Sequence, residues 1–99
     1  RMNTSSEAPA ENQGARLGAP APNPLSHSGS ISFDLDRPAQ VRLRLVDVTG
    51  RDVLTVLDQR LGAGAHTARL DTSRLATGTY VVVLDADGQT DRRLLTVAR

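Results

Sequence analysis

VRLRLVDVTGR, residues 41–51, joins an alternating strand to a tight turn. Its first five residues alternate apolar side chains with arginines, which is the two-residue period of a strand with one face in a core and the other in water. Asp47 can then accept hydrogen bonds from the backbone two residues on, and Gly50 can adopt the positive φ that closes a turn at little steric cost. Because the apolar pattern resumes at Val53, the stretch predicts a β-hairpin.

The same alternation recurs on both sides of this hairpin. SISFDLD at residues 30–36 alternates cleanly, residues 66–70 and 80–84 follow the same period, and residues 90–97 form the last predicted strand. Asp87-Gly88 is a strong signal for a two-residue hairpin turn between the last two strands. The residues expected to face the core are Ile31, Phe33, Leu35, Val41, Leu43, Leu45, Ala68, Leu70, Tyr80, Val82 and Leu84.

The segment after the Gly50 turn breaks the alternation. Val53 and Leu54 are adjacent apolar residues, and so are Val56 and Leu57. Either one β-bulge restores the register of this strand, or the strand is covered on both of its faces.

The strands and turns together indicate the fold class. Six segments have the length of ordinary strands, about 6 to 10 residues, and Leu17 is a candidate anchor for a seventh, short edge strand that Pro22 would end. No segment has helical periodicity. The sequence therefore predicts an all-β fold, an immunoglobulin-like antiparallel β-sandwich of six to seven strands. The likeness concerns architecture alone, because the Cys and Trp marks of true immunoglobulin domains are missing.

The first part of the chain differs in composition from the rest. Residues 1–30 hold four of the five prolines, whereas 22 of the 24 Leu, Val, Ile and Phe residues lie in residues 31–99. A segment with so little apolar surface cannot offset its ordering entropy. We predict a disordered linker at residues 1–16 and a β-sandwich domain at residues 17–99.

Composition also limits the partners. The formal net charge is +1, and the chain has neither Lys nor Cys. So small a charge gives no field to attract nucleic acid or an anionic membrane, and no run of apolar residues is long enough to span a bilayer. We therefore expect no nucleic-acid partner and no membrane insertion.

The candidate catalytic and metal-binding residues are few. Asp85 and Asp87 resemble the start of a calcium loop, but no Glu follows them, so the hairpin is the better interpretation. His27 and His66 are isolated and lack the spacing of zinc ligands. Because neighbouring side chains point apart, Ser26 and His27 do not predict a catalytic dyad. The sequence predicts no catalytic residue, no metal site and no cofactor, and hence no enzyme.

Five motifs follow one another along the chain. They are PNP at 22–24, VRLRLVDVTGR at 41–51, GAGAHTARLD at 62–71, LATGTYVVVL at 75–84 and RRLLTVAR at 92–99. In this order and spacing they resemble the type IX (Por) secretion C-terminal sorting domain of Bacteroidota and relatives. The resemblance covers roughly residues 17–99, and the chain is also similar to the immunoglobulin-like domain of the flagellar hook-capping protein.

The resemblance assigns sorting-motif positions to particular residues. Leu25, Leu70 and Arg93 stand where the family more often has Phe, Trp and Lys. The matching positions are Pro22, Asn23 and Pro24 in the entry motif, Asp47, Gly50 and Arg51 in the first hairpin turn, Gly78 and Tyr80 in the GxY motif, and Arg92, Arg93 and Arg99 in the basic C-terminal end.

The resemblance also implies a function. In that family the domain ends a secreted cargo, is recognised by the outer-membrane secretion machinery, and is usually removed by a sortase-like peptidase. The implied partners are the type IX machinery, that peptidase and an N-terminal cargo domain of the same chain. The implied location is the medium or the cell surface, reached through the periplasm. The alternative is a non-catalytic accessory or interaction β-sandwich retained in a secreted or surface-assembled protein.

Overall fold

The computed structural model of the protein describes residues 14–98. This part of the chain is built from strands and turns, and it contains no helix that could cross a membrane. Its strands are β1 (Ala15–Leu17), β2 (Ser28–Leu35), β3 (Ala39–Val46), β4 (Asp52–Leu61), β5 (Gly64–Asp71), β6 (Gly78–Ala86) and β7 (Gln89–Val97).

The seven strands of residues 14–98 form two antiparallel sheets. One sheet has the order β1-β2-β5, and the other has the order β4-β3-β6-β7. This arrangement confirms the predicted all-β antiparallel sandwich of six to seven strands, and the described residues contain seven. The short strand expected near Leu17 is present as β1, and it also includes Ala15 and Arg16, which the sequence placed in the linker. Residues 1–13 of the predicted linker lie outside the described part of the chain.

The core lies between the two sheets and contains every residue that was expected to face it. All eleven of those residues are buried. Seven further core residues lie in or near the strand ends and in the connection after β1, and they were not among the eleven. The additional buried apolar residues of the core are Ala15, Leu17, Leu25, Ala39, Ala86, Leu95 and Val97.

The broken alternation of β4 arises from two irregularities. The pairing of β3 with β4 shifts between Leu43 and Arg44 and again between Leu45 and Val46. The bulge interpretation is therefore correct, with two irregularities where the sequence suggested one. The apolar residues of β4 are only half-buried, because the strand packs along the border of the core.

The turn after β3 has the predicted chemistry. The Oδ1 atom of Asp47 accepts hydrogen bonds from the backbone N–H of Thr49 (2.9 Å), the hydroxyl of Thr49 (2.6 Å) and the backbone N–H of Arg51 (3.1 Å). These bonds, with that of the Thr49 hydroxyl foremost, hold the pKa of the Asp47 carboxyl below its usual range. Gly50 has a φ of 87°, as expected.

The turn between β6 and β7 is the predicted two-residue hairpin. Asp87 and Gly88 have φ values of 48° and 89°, and this sign at both central positions is that of a type I′ turn. Oδ1 of Asp87 accepts a hydrogen bond from the backbone N–H of Gln40 at 3.1 Å. Asp87 therefore fixes this turn against the start of β3.

Candidate functional site

Most of the sorting-motif positions lie at one end of the sandwich. Val46, which precedes the Asp47 turn, pairs with Val81 near the start of β6. Gly78, the first residue of β6, pairs with Val97, the last residue of β7. Leu25, which follows the PNP motif, forms a parallel bridge with the same Val97. The fold thus places the entry motif, the first hairpin turn, the GxY motif and the end of β7 together.

The entry motif lies in a segment that crosses from one sheet to the other. In this crossing segment, residues 21–25, Ala21 bridges Ser30 of β2. The backbone N–H of Leu25 donates to the C=O of Thr96 at 2.9 Å, and its C=O accepts from the N–H of Ala98 at 2.8 Å. Pro22, Asn23 and Pro24 are exposed between these points, and both prolines follow cis peptide bonds. The crossing segment therefore bonds the end of β7 to the opposite sheet.

Gly29 is a residue of this end that the sequence analysis missed. A Cβ atom there would lie 2.1 Å from Cδ2 of Leu25 and 2.6 Å from the C=O of Ala21. Only glycine leaves room for the crossing segment at this point of β2. A glycine inside an alternating strand often marks such a close approach, and that was the available signal.

The GxY motif and the first turn have structural contacts. The hydroxyl of Tyr80 donates to the C=O of Ala76 at 2.5 Å, and its ring is buried. Gly78 is half-buried at the start of β6. Arg51 is exposed, and its backbone N–H belongs to the Asp47 turn. These contacts hold the motif end of the domain in shape, and they leave Arg51 and the crossing-segment prolines at its surface.

The two adjacent arginines of β7 face opposite sides of the sheet. Nε and Nη2 of Arg93 donate to the C=O of Leu17 at 3.4 and 3.3 Å, while Oδ2 of Asp91 accepts from the N–H of Leu17 at 2.8 Å. Arg93 and Asp91 therefore connect β7 with β1 of the other sheet. Arg92 is exposed on the outer face, and within residues 14–98 its side chain has no ion-pair partner. Arg99 lies outside the described residues.

The backbone of β7 presents unpaired groups along its outer edge. Thr96 and Ala98 direct backbone groups to Leu25, and so away from β6. Since these directions alternate along an antiparallel strand, Leu94 and Arg92 face the same open side. The N–H of Arg92 donates to Oδ1 of Asp91 at 2.9 Å. Because β6 is the only strand that pairs with β7 among residues 14–98, the N–H and C=O of Leu94 point to the side of β7 where no strand is paired.

An apolar row leads to this edge on the outer face of the four-stranded sheet. Val46, Val81 and Leu94 are neighbours in the register of β3, β6 and β7. Leu94 is 67 % exposed, and it is one of two large apolar side chains of residues 14–98 that are exposed. Val48, in the turn beyond Val46, is 78 % exposed. The row therefore gives the outer face an accessible apolar surface that ends at β7.

The next row on this face carries arginines. Arg44, Val83 and Arg92 are neighbours in register. Arg44 forms ion pairs with Asp52 at 3.2 Å and with Asp85 at 3.4 Å. Its charge is compensated on the sheet, whereas that of Arg92 is free to meet an external acid.

The remaining candidates for chemistry have structural contacts. Nε2 of His66 lies 2.7 Å from the C=O of Gly62, and the His66 ring stacks on Phe33 with 5.4 Å between centroids. Asp85 accepts from the hydroxyl of Thr90 at 2.8 Å, besides pairing with Arg44. Within the described part of the chain, no three His, Asp or Glu side chains are grouped as metal ligands.

The comparisons with known proteins agree with this geometry. A family model described as a secretion system C-terminal sorting domain matches residues 21–97. The match begins at the crossing segment and ends with the last residue of β7. It therefore includes the motif end of the sandwich and six of its strands. No curated protein matches the chain.

Proposed function

Because the chain belongs to the family of secretion system C-terminal sorting domains, we propose that the export machinery recognises it at the open edge of β7. The domain is a sorting signal for type IX secretion of a cargo protein. Its route leads through the periplasm to the medium or the cell surface. The family carries out sorting rather than catalysis.

The observation that supports recognition at β7 is the pair of unpaired backbone groups on Leu94. A receptor can reach only the sheet faces, edges, turns and ends of a sandwich, because the core faces are hidden. An edge with free N–H and C=O groups offers main-chain hydrogen bonds to an added strand. Arg92 supplies charge beside it, and charge of this kind orients an approaching partner.

The other sorting-motif residues have different roles in this proposal. Pro22, Asn23 and Pro24 cross between the sheets and position the end of β7. Asp47, Gly50, Gly78 and Tyr80 shape the same end from the β3 and β6 sides. Arg51 is exposed there and adds a second positive charge, whereas Arg93 acts through its contact with Leu17.

Two further partners, a cargo domain and a peptidase, are proposed from membership in the family. We propose that the cargo is a domain N-terminal to this one in the same chain, and that a sortase-like peptidase separates the two. We propose that the cut falls in the predicted linker, residues 1–16. A cut before Ala15 leaves β1 and the other strands intact. We propose that the folded unit begins with β1 at Ala15, two residues before residue 17.

Export of a reporter tests this function. The whole 99-residue chain is fused behind a periplasm-directed reporter in a host with a type IX system, and surface reporter is measured by protease accessibility. We expect the fusion to reach the surface. A natively folded fusion that stays in the periplasm would favour the accessory-domain alternative.

Point variants are sharper than deletions in this assay. Deletion of residues 94–99 should stop export, but it also removes Leu95 and Val97 from the core. Arg92→Gln changes an exposed side chain and should reduce export while the fold remains native. Arg93→Gln is not an equivalent variant, because Arg93 bonds to β1.

A further inference from the structure

The open part of the β7 edge is short and regular. β7 pairs with β6 without any shift in register, so its outer edge is straight. Leu25 occupies the edge beyond Thr96, and the Asp91 carboxylate occupies the N–H of Arg92. The stretch between them, residues 92–96, is called the edge window here. A short extended segment centred opposite Leu94 would meet the backbone groups that Leu25 and Asp91 leave unoccupied.

The side chains around the edge window specify what such a segment should contain. Residues opposite each other in neighbouring strands lie on the same face and interact. A residue paired with Leu94 would extend the apolar row of Val46 and Val81. A residue paired with Arg92 would face a guanidinium that has no acidic partner among residues 14–98. The complementary side chains are therefore one apolar and one acidic residue, two positions apart.

The order of these two residues depends on strand direction. All pairs among β1–β7 are antiparallel, and only the isolated Leu25–Val97 bridge beyond the window is parallel. Antiparallel pairing is slightly more stable per residue than parallel pairing. An antiparallel segment meets Leu94 before it meets Arg92. Its sequence therefore has the apolar residue first, then any residue, then the acid.

A second copy of this chain does not have the required chemistry. If two β7 strands paired antiparallel about Leu94, Thr96 of one copy would lie opposite Arg92 of the other. Threonine leaves the Arg92 charge without a counterion, and the contact would consist of one pair of leucines. The complementary partner is thus a different protein.

We propose that the edge window binds an extended apolar-x-acidic segment of the export machinery by antiparallel strand addition. This rests on the proposed function, because it names the chemistry of the partner for the same edge. The main-chain bonds of Leu94 supply the pairing, the apolar row supplies the contact area, and Arg92 selects the acid.

A peptide titration tests the proposal without any secretion system. The isotope-labelled 99-residue chain is titrated with the peptide Ser-Thr-Val-Thr-Glu-Thr-Ser and followed by amide NMR. We expect shifts centred on Leu94, Thr96 and Val81. A matched peptide with Arg in place of Glu should bind at least roughly threefold more weakly, the scale of an exposed charge pair. Equal binding of the two peptides, or shifts centred on β4, would overturn the proposal.

Variants of the chain make the test specific to the edge. Leu94→Pro removes an N–H that points away from β6, so the sheet keeps its ladder and peptide binding should be lost. Leu94→Thr keeps the backbone and removes the apolar contact, and it serves if the proline variant does not fold. Arg92→Gln should abolish the preference for Glu over Arg. A variant that folds and binds as the wild type does, or dimerisation through β7, would contradict the proposal.

The outcome separates this proposal from the proposed function. If the chain is exported but does not bind the Glu peptide more tightly than the Arg peptide, the sorting function stands and the proposed apolar-x-acidic partner segment is wrong. A chain that prefers the Glu peptide but is not exported shows that the edge window binds as described while recognition during export lies elsewhere.

Discussion

β4 and β7 are the two edge strands of the same sheet, and they are built differently. β4 has ten residues, and its pairing with β3 is interrupted twice. β7 has nine residues, and its pairing with β6 is continuous. Irregular edges resist the addition of a further strand, whereas straight edges permit it. In this sandwich, therefore, the bulges of β4 hinder strand addition at one edge, whereas the regular β7 edge permits it.

The two strands also differ in how they are attached. β7 is bonded to the opposite sheet twice, through Leu25 and through the contacts of Asp91 and Arg93 with Leu17. The apolar residues of β4 are half-buried along the core border. The regularity of the β7 edge therefore depends on long-range contacts, and breaking them should affect the domain more than equivalent changes on β4.

Removal of the Leu25 side chain should have the largest effect. Leu25 is fully buried beneath the crossing segment, so Leu25→Ala should lower the free energy of unfolding by about 2 to 5 kcal/mol. Leu57→Ala on half-buried β4 is the matched control, with an expected loss of roughly 1 to 2 kcal/mol. Urea denaturation measures both. A larger loss for Leu57→Ala would reverse the comparison.

Substitution of Gly50 should have the next largest effect. Its φ of 87° is strained for a β-branched residue, so Gly50→Val should cost roughly 1 to 3 kcal/mol. A Cβ meets nothing within 4 Å at either Gly50 or Gly62, and Gly62 has no left-handed φ. Gly62→Val should therefore change the thermal midpoint far less. Equal midpoints for the two variants would show that the start of β4 does not depend on this turn.

Substitutions of the two arginines of β7 should differ in their effect on stability. Arg93→Gln loses the bonds to Leu17 and should cost about 0.5 to 1.5 kcal/mol. Arg92→Gln changes an exposed side chain, and its effect should stay within about 0.5 kcal/mol. Thermal denaturation of both variants checks this. If Arg92→Gln were the more destabilising, the assignment of the two residues to opposite faces would be wrong.

Acidification should have the smallest effect on stability, and it should loosen the turns at Asp47 and Asp71 before it affects β7. The hydroxyl of Thr49 lowers the pKa of Asp47 in the turn before β4, and that of Ser73 lowers the pKa of Asp71 at the end of β5. A lowered pKa contributes stability above the unfolded value, and this is lost as the pH falls through the folded value, below about pH 4.

The double variant Asp47→Asn and Asp71→Asn is the control for this effect. Its thermal midpoint should fall less between pH 5 and the acid range than that of the wild-type chain, because no carboxylate remains to protonate in either turn. Amide exchange at low pH should rise near these turns before it rises in β7. Parallel curves for the two proteins would show that the turns do not contribute to acid sensitivity.

The sequence predicted the local features of this fold well. Alternation at residues such as Phe33, Leu43 and Val82 predicted burial, because a strand has only two faces. The positive φ of Gly50 and the hairpin turn at Asp87 followed from turn chemistry. These features depend on residues close together in the chain, and a single sequence contains that information.

The candidate site was predictable only in part, because it depends on contacts between distant residues. Arg92 and Arg93 look equivalent in the sequence, and only their faces in β7 distinguish the exposed one from the one bonded to Leu17. The burial of Leu25 and the need for Gly29 likewise depend on where the crossing segment meets β2 and β7. The open edge at Leu94 required knowledge of which strand lies beside β7.

Matched charge variants on the two edges test whether the machinery recognises β7 and not β4. Arg92 and Arg60 are both exposed, on β7 and β4 respectively, and neither has an ion-pair partner among residues 14–98. Surface reporter is measured for fusions that carry Arg92→Gln or Arg60→Gln, with native folding verified for each. If β7 is the recognised edge, export should be reduced for Arg92→Gln and unchanged for Arg60→Gln. Equal export of the two variants, or a greater loss for Arg60→Gln, would contradict it.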